Sequence, residues 1–384
     1  MRLRTSAALA ATSALGAGAA AMAAGRYAAG AALRPARPKA GRAALPAGFE
    51  RPALTVHSSG PDHVALTRSL AARLPGTYGL AGRGSHAVVG PVLEAESTDS
   101  GADTVVRRLE RIQSGSLNPG DRVWLTPQLH TGNPRDALGL HCADVEVPGE
   151  LGMLPAWFVP GERDTWVIAV HGLGATREQP LNVVPALARM RLPVLVLAYR
   201  GDPGAPSPSD GFGHLGDAEW RDLDAAIRYA VRHGARRVIL HGWSTGASMA
   251  LHAAANSALR DRVSGLVLDS PVLDWQVTLR ALASARRTPR PLLPLAVRAA
   301  QGRTGLTTDR LSSVADPSLL RVPALLVHGP DDTIAPWSRS QDFAAARDDL
   351  VTLHTVGHAP HAAMWNASPR PYEEALRRFL VPLM

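Results

Sequence analysis

The chain has 384 residues, 46% hydrophobic and 19% charged; it can build a core and fold as one large or two smaller domains, which excludes a wholly disordered chain. Its 41 Lys and Arg outnumber its 33 Asp and Glu, but seven basic residues and a single acid, Glu50, lie within residues 1–50. The remainder is nearly neutral, which argues against nucleic acid as a partner. The single cysteine, Cys142, excludes an intramolecular disulfide and reads as a buried thiol.

Arg2 and Arg4 precede an uncharged, Ala-rich run from Thr5 to Gly25. Its length suits a membrane anchor or a secretory signal, with Ala21-Met22-Ala23 as a small-residue cleavage site; a disordered leader is the third reading. Membrane association through residues 5–25, or secretion, is therefore expected over a cytoplasmic location. Residues 34–48 are rich in Pro and Ala and read as a linker, so 1–48 form a leader and linker. Residues 49–143 form a β-rich accessory region, with short runs at Ala53–Val56, His86–Val89 and Arg122–Leu125 between Gly- and Pro-containing turns.

From residue 144 to 384 the pattern changes. Val145–Val147 and Leu154–Val159 suggest a hairpin; Trp166–Val170, Pro193–Ala198, 236–240, Val263–Leu268, Ala324–Val327 and Leu350–Val356 read as strands. Helical stretches lie between them at Glu178–Met190, Asp217–His233 and after Ser244 to about Ala258, with a closing helix at Pro371–Leu380. Unbroken apolar strands alternating with helices imply an α/β fold: a mostly parallel sheet covered on both faces. Reactive groups in such a sheet collect at the carboxyl ends of the strands.

Three motifs sit at such ends. Gly242-Trp243-Ser244-Thr245-Gly246 matches G-x-S-x-G between a strand and a helix, a sharp turn that presents a serine. Glycines flank it because side chains there would meet the neighbouring strand and helix. His171-Gly172-Leu173-Gly174 follows another strand, and the amides of Leu173 and Thr245 are the candidate oxyanion donors. His328-Gly329-Pro330-Asp331-Asp332 supplies an acid; Asp332 fits the H-G-x-x-D spacing, with Asp331 as a turn residue and Asp269 as a third candidate. The base follows the last strand, in Gly357-His358-Ala359-Pro360-His361, where either imidazole could serve.

Together these residues resemble the α/β-hydrolase superfamily, in particular its serine aminopeptidase and lysophospholipase-like branch, over about residues 144–384. The resemblance implies Ser244 as nucleophile, Asp332 as acid and the Leu173 and Thr245 amides as oxyanion donors. The whole chain is also similar to actinobacterial hydrolases that carry a hydrophobic leader, a β-rich N-terminal part and a tail of the form G-A-x-H-x-x-x-W-N. Here Ala359 to Asn366 fits that tail with His361 as base; His358 instead matches a simpler G-H. In this family a cap lies where residues 274–313 interrupt the alternation. That stretch carries Arg280, Arg286, Arg287, Arg290, Arg298, Arg303 and Arg310, which read as a solvated face or as a basic surface for a lipid headgroup or an acidic leaving group.

The expectation is acyl transfer from an ester, or a thioester or amide, to water through an acyl-enzyme on Ser244, acting on a small or lipid-like substrate. This chemistry needs no metal and no organic cofactor. An acyltransferase using the same triad and an inactive membrane-associated binding protein are the rival readings.

Overall fold

Along the central strands, neighbouring residues are buried on opposite sides. Ile168, Val170, Leu240, Leu266 and Leu268 join one apolar cluster; Val167, Ala169, Ile239, Val267 and Leu325 join another. A strand that is apolar at every position therefore lies between two layers, as its unbroken hydrophobicity requires. The structure is a computed structural model; it describes residues 22, 23, 25–27, 29, 30, 33, 45–49, 52–99, 101–285, 288–304 and 315–384.

The strands of this sheet are β7 (Ala143–Pro148), β8 (Met153–Val159), β9 (Thr165–Val170), β10 (Val194–Leu197), β11 (Arg237–Trp243), β12 (Val263–Asp269), β13 (Ala324–His328) and β14 (Val351–Thr355). Their order across the sheet is β14-β13-β12-β11-β9-β10-β8-β7. All neighbours run parallel except β10–β8 and β8–β7, which form the antiparallel edge. The hairpin expected at residues 145–159 is this edge.

The accessory region is a closed six-stranded barrel built from β1 (Leu54–Ser59), β2 (His63–Thr67), β3 (Tyr78–Ala81), β4 (His86–Val92), β5 (Thr104–Ser114) and β6 (Arg122–Thr126). Its order is β1-β2-β5-β4-β3-β6, and β6 pairs back to β1, so it leaves no open edge. Closure needs β2, β3 and β5, none of which the sequence reading found. β5 contains Arg107, fully buried. Its guanidinium donates to the carbonyls of Gly90, Ala72, Leu74 and Gly76, so the cation ties β4 to the segment before β3.

The barrel is bonded to the sheet domain. Asn366 Nδ2 donates to the carbonyls of Thr77 and Pro127, both at 2.9 Å, and Thr77 N donates to the Asn366 carbonyl. Asn182 Nδ2 donates to the same Pro127 carbonyl at 2.8 Å. Ala363 is buried within the barrel's own apolar cluster.

Two helices, α6 (Trp275–Ala285) and α7 (Leu293–Thr304), occupy the expected cap position; they follow α1 (Glu94–Asp99), α2 (Pro134–Leu138), α3 (Val184–Arg189), α4 (Trp220–Arg232) and α5 (Thr245–Asn256) in the chain. Arg280, Arg290 and Arg298 are exposed, in keeping with a solvated face. The apolar side of the cap buries Ala29 and Leu33 against Trp275, Leu279 and Val297. Most of the expected membrane segment, and residues 34–44 of the expected linker, lie outside the described residues. Among the described residues no helix is long and apolar enough to cross a membrane. After the cap come α8 (Trp337–Ala346), α9 (Met364–Ala367) and α10 (Pro369–Leu380).

One expected helix differs. The stretch 178–190 is a 3-10 turn at Gln179–Asn182 followed by the short α3. Pro185 lacks the amide that one continuous helix would use in its interior.

Candidate active site

Strand β11 runs directly into α5 through Ser244, whose φ is +52° and ψ is −115°. This left-handed backbone is costly for a side-chain-bearing residue and holds the serine at the apex of a tight turn. The flanking glycines have steric causes. A Cβ on Gly242 would come within 2.3 Å of the Gly246 carbonyl oxygen. One on Gly246 would lie 2.4 Å from the Val170 oxygen and 2.6 Å from the His171 oxygen, on the adjacent strand end. The Asp269 carbonyl accepts from Ser244 N at 2.8 Å, anchoring the turn to β12.

His361 reaches this serine. The Ser244 hydroxyl donates to His361 Nε2 at 2.7 Å, and His361 Nδ1 donates to Asp332 Oδ2, also at 2.7 Å. All three residues are buried. Asp332 is saturated with donors: Oδ2 also accepts from His328 Nε2 at 2.9 Å, and Oδ1 accepts from Ile334 N and Ala335 N at 2.8 and 2.9 Å. Burial alone would raise this carboxyl. The charge of the His361 imidazole and the hydrogen bonds from His328 and His361 outweigh it and hold Asp332 well below the usual carboxylate range. His328 is fixed in turn by the Ser340 hydroxyl at 2.7 Å from Nδ1.

The alternatives stand elsewhere. His358 has φ +57° and a side chain 81% exposed, and its backbone amide donates to Asp331. Asp331 is thus the turn residue at the foot of the histidine segment. Asp269 is fully buried, accepts from the Ser270 hydroxyl at 2.9 Å, and burial pushes it up to about 7 against the hydrogen bonds it receives. His361 donates to Asp332, not to it.

The loop after β9 passes close to the nucleophile. A Cβ on Gly172 would lie 2.8 Å from Ser244 Cβ, so only glycine lets this backbone approach. Leu173 N follows directly. Thr245 N is the first amide of α5 and belongs to the helix-start amides that have no partner within the helix. Leu173 thus follows a glycine that lies against Ser244, and Thr245 follows Ser244 in the chain.

Two features escaped the sequence reading. Residues 45–48 are part of a strap over the site rather than a solvated linker: Pro46 and Phe49 are buried, Pro46 Cα would be 3.4 Å from a Cβ on Gly174, and a Cβ on Gly48 would be 3.8 Å from His361 Cβ. The apolar character of Leu45, Pro46, Ala47 and Phe49 was the available signal. Gln179, which bonds Gly172 N and the Ala362 carbonyl, gave none, because an interior Gln in a helical stretch is indistinguishable from a surface one.

Comparison with known proteins agrees with this architecture. Residues 165–309 match the family described as alpha/beta hydrolase fold, and residues 55–126, the barrel, match a domain of unknown function (DUF8805). The uncharacterised protein YqkD of Bacillus subtilis (strain 168) is 26% identical over 234 residues, 58% of this chain and 72% of that protein. The Pyrococcus furiosus esterase Pf2001 superposes with a TM-score of 0.54 at 22% identity, over 66% of this chain and 95% of the esterase. A second crystal form of that esterase gives 0.53 at 21% identity, over 66% and 97%. The chain has the α/β-hydrolase fold, with an added N-terminal β-barrel.

Proposed function

We propose that this protein is a serine hydrolase that cleaves a carboxylic ester through an acyl-enzyme on Ser244. The observation that carries the reading is the buried relay Ser244–His361–Asp332, with both hydrogen bonds at 2.7 Å. His361 takes the Ser244 proton as Oγ attacks the ester carbonyl carbon, and the Asp332 carboxylate stabilises the resulting imidazolium. The carbonyl oxygen gains negative charge and is held by the Leu173 and Thr245 amides. As the tetrahedral intermediate collapses, His361 returns the proton to the leaving alkoxide and the alcohol departs. Water then adds to the acyl carbon, giving its proton to His361. The Ser244 ester bond breaks, the acid leaves, and Oγ recovers the proton.

Esters are preferred to amides because an alkoxide is the easier leaving group, and the structurally similar Pyrococcus furiosus protein is named an esterase. The resemblance of this chain's motifs to the serine aminopeptidase and lysophospholipase-like branch supports short or lipid-like acyl groups as substrates. The test is labelling of the full chain with a fluorophosphonate, beside turnover of p-nitrophenyl esters of increasing chain length. Wild type should label and turn over; Ser244→Ala and His361→Ala should do neither, and His358→Ala should behave as wild type. A wild type that does not label, or a Ser244→Ala variant that labels equally, overturns the reading.

A further inference from the structure

Gln179 joins the two halves of the candidate active site with one side chain. It is 2% exposed and opens the 3-10 turn Gln179–Asn182. Its Oε1 accepts from Gly172 N at 3.2 Å, and its Nε2 donates to the Ala362 carbonyl at 3.2 Å. Gly172 immediately precedes Leu173, and Ala362 immediately follows His361. One amide therefore spans from the loop carrying an oxyanion donor to the loop carrying the imidazole.

Both ends of this bridge are otherwise constrained. Ala362 has φ +54°, and its own amide donates to the Ser270 hydroxyl at 3.0 Å. Gly172 is wedged against Ser244, as the position of its absent Cβ shows. The turn that presents Gln179 is itself tied to the barrel: Asn182 donates to the Pro127 carbonyl, which also accepts from Asn366, five residues after His361. The barrel thus holds the Gln179 turn and the histidine segment at a common point.

We propose that Gln179 is a positioning residue that sets the spacing between the Leu173 amide and the His361 imidazole, with the barrel bracing it through Asn182 and the Pro127 carbonyl. The proposal rests on the serine-hydrolase reading above. Oxyanion donors act at about 2.7–3.1 Å from the developing charge, and the base must meet Oγ at hydrogen-bond distance in the same complex. A link between the two loops holds both conditions together. Gln179 touches neither the serine nor the reacting atoms; it acts through the backbone on either side.

The experiment compares Gln179→Met and Gln179→Glu in the full chain. Met keeps similar volume and removes both hydrogen bonds; Glu, assayed above the pH at which its buried carboxyl ionises, keeps the acceptor for Gly172 N and removes the donor to Ala362. Each variant is assayed for kcat and KM on an ester and on the matching thionoester, whose sulfur is a poor fit for an oxyanion hole, and for melting temperature. A displacement of about 1 Å costs on the order of 100-fold in rate, so Gln179→Met should lose roughly 10- to 100-fold in kcat with KM within about twofold. Its preference for the ester over the thionoester should shrink. Gln179→Glu should lose kcat while keeping the wild-type preference, because the oxyanion-side loop stays held. A purely structural role would not separate the two variants in this way. The proposal is overturned if Gln179→Met keeps wild-type kcat and preference, or if both variants lose activity only in proportion to lost folded protein. Absence of fluorophosphonate labelling in wild type overturns the hydrolase reading and this proposal with it; a labelled wild type beside an unaltered Gln179→Met overturns this proposal alone.

Discussion

Replacing Asp332 by Asn tests the electrostatics of the site at a single atom. Asp332 accepts four hydrogen bonds, two imidazole donors on Oδ2 and two backbone donors on Oδ1. An asparagine offers one oxygen and one NH2 group. With its NH2 group towards Ile334 N and Ala335 N it loses two buried bonds; with that group towards the imidazoles it keeps its bonds only if both rings switch to the tautomer that accepts. At about 1–3 kcal/mol for each unsatisfied buried group, the first orientation costs roughly 2–6 kcal/mol, so the loss of stability has that as its upper bound. The same change removes the charge that favours an imidazolium at His361 and allows the wrong ring tautomer, so kcat should fall by roughly four orders of magnitude. The stability effect has a pH signature. The folded value of Asp332 lies below its ordinary 3.8, so its contribution is present above about pH 4 and is lost as pH falls through that lower folded value. Urea denaturation of wild type and Asp332→Asn should show a gap at pH 7 that closes on acidification. A variant that keeps a tenth of wild-type kcat with an unchanged urea midpoint would refute the four-donor account.

Two further predictions follow from buried groups near the serine. Gly246→Ala would place a Cβ 2.4 Å from the Val170 oxygen, so it should destabilise by about 1–3 kcal/mol or more and abolish fluorophosphonate labelling; an unchanged thermal midpoint would show that the turn can relax. Burial pushes Asp269 up to about 7 from 3.8, so its contribution is most favourable below about pH 4 and is lost as pH rises through 7. At pH 8 the difference between its folded and unfolded values lowers stability by about 4 kcal/mol. Asp269→Asn should therefore have the higher urea midpoint at pH 8, with the difference gone near pH 4, and a less stable variant at pH 8 would show that the buried charge is compensated.

The parts of this protein that can be read from its sequence are those whose cause is local. β9, β10, β12 and β13 are legible because burial on both faces gives each an apolar run on consecutive residues, a pattern that needs no knowledge of the partners. The serine turn is legible because the glycines at 242 and 246 answer to contacts set by a strand, a turn and a helix in immediate succession. The H-G-x-x-D spacing at 328–332 is legible for a similar reason: a Cβ on Gly329 would sit 1.7 Å from the Val356 oxygen of the next strand end. β5 was hidden because Thr104–Ser114 contains three arginines and a glutamate. Arg107 is interior only because four carbonyls from other segments converge on its guanidinium.

By itself, then, the sequence determined the α/β sheet and the set of residues from which a serine, an acid and a histidine would be drawn, since these follow from burial pattern and short-range sterics. Residue type and position left His358 and His361 open, because two imidazoles three residues apart share one local context; only the resemblance of residues 359–366 to the G-A-x-H tail favoured His361. Tertiary structure decided which of them meets Ser244: the turn at residues 357–360 leaves His358 in solvent, while His361 is buried between Ser244 and Asp332. The same holds for Gln179 and for the strap at residues 45–49 over the site. Their partners are far away in the chain, and only folding brings them together.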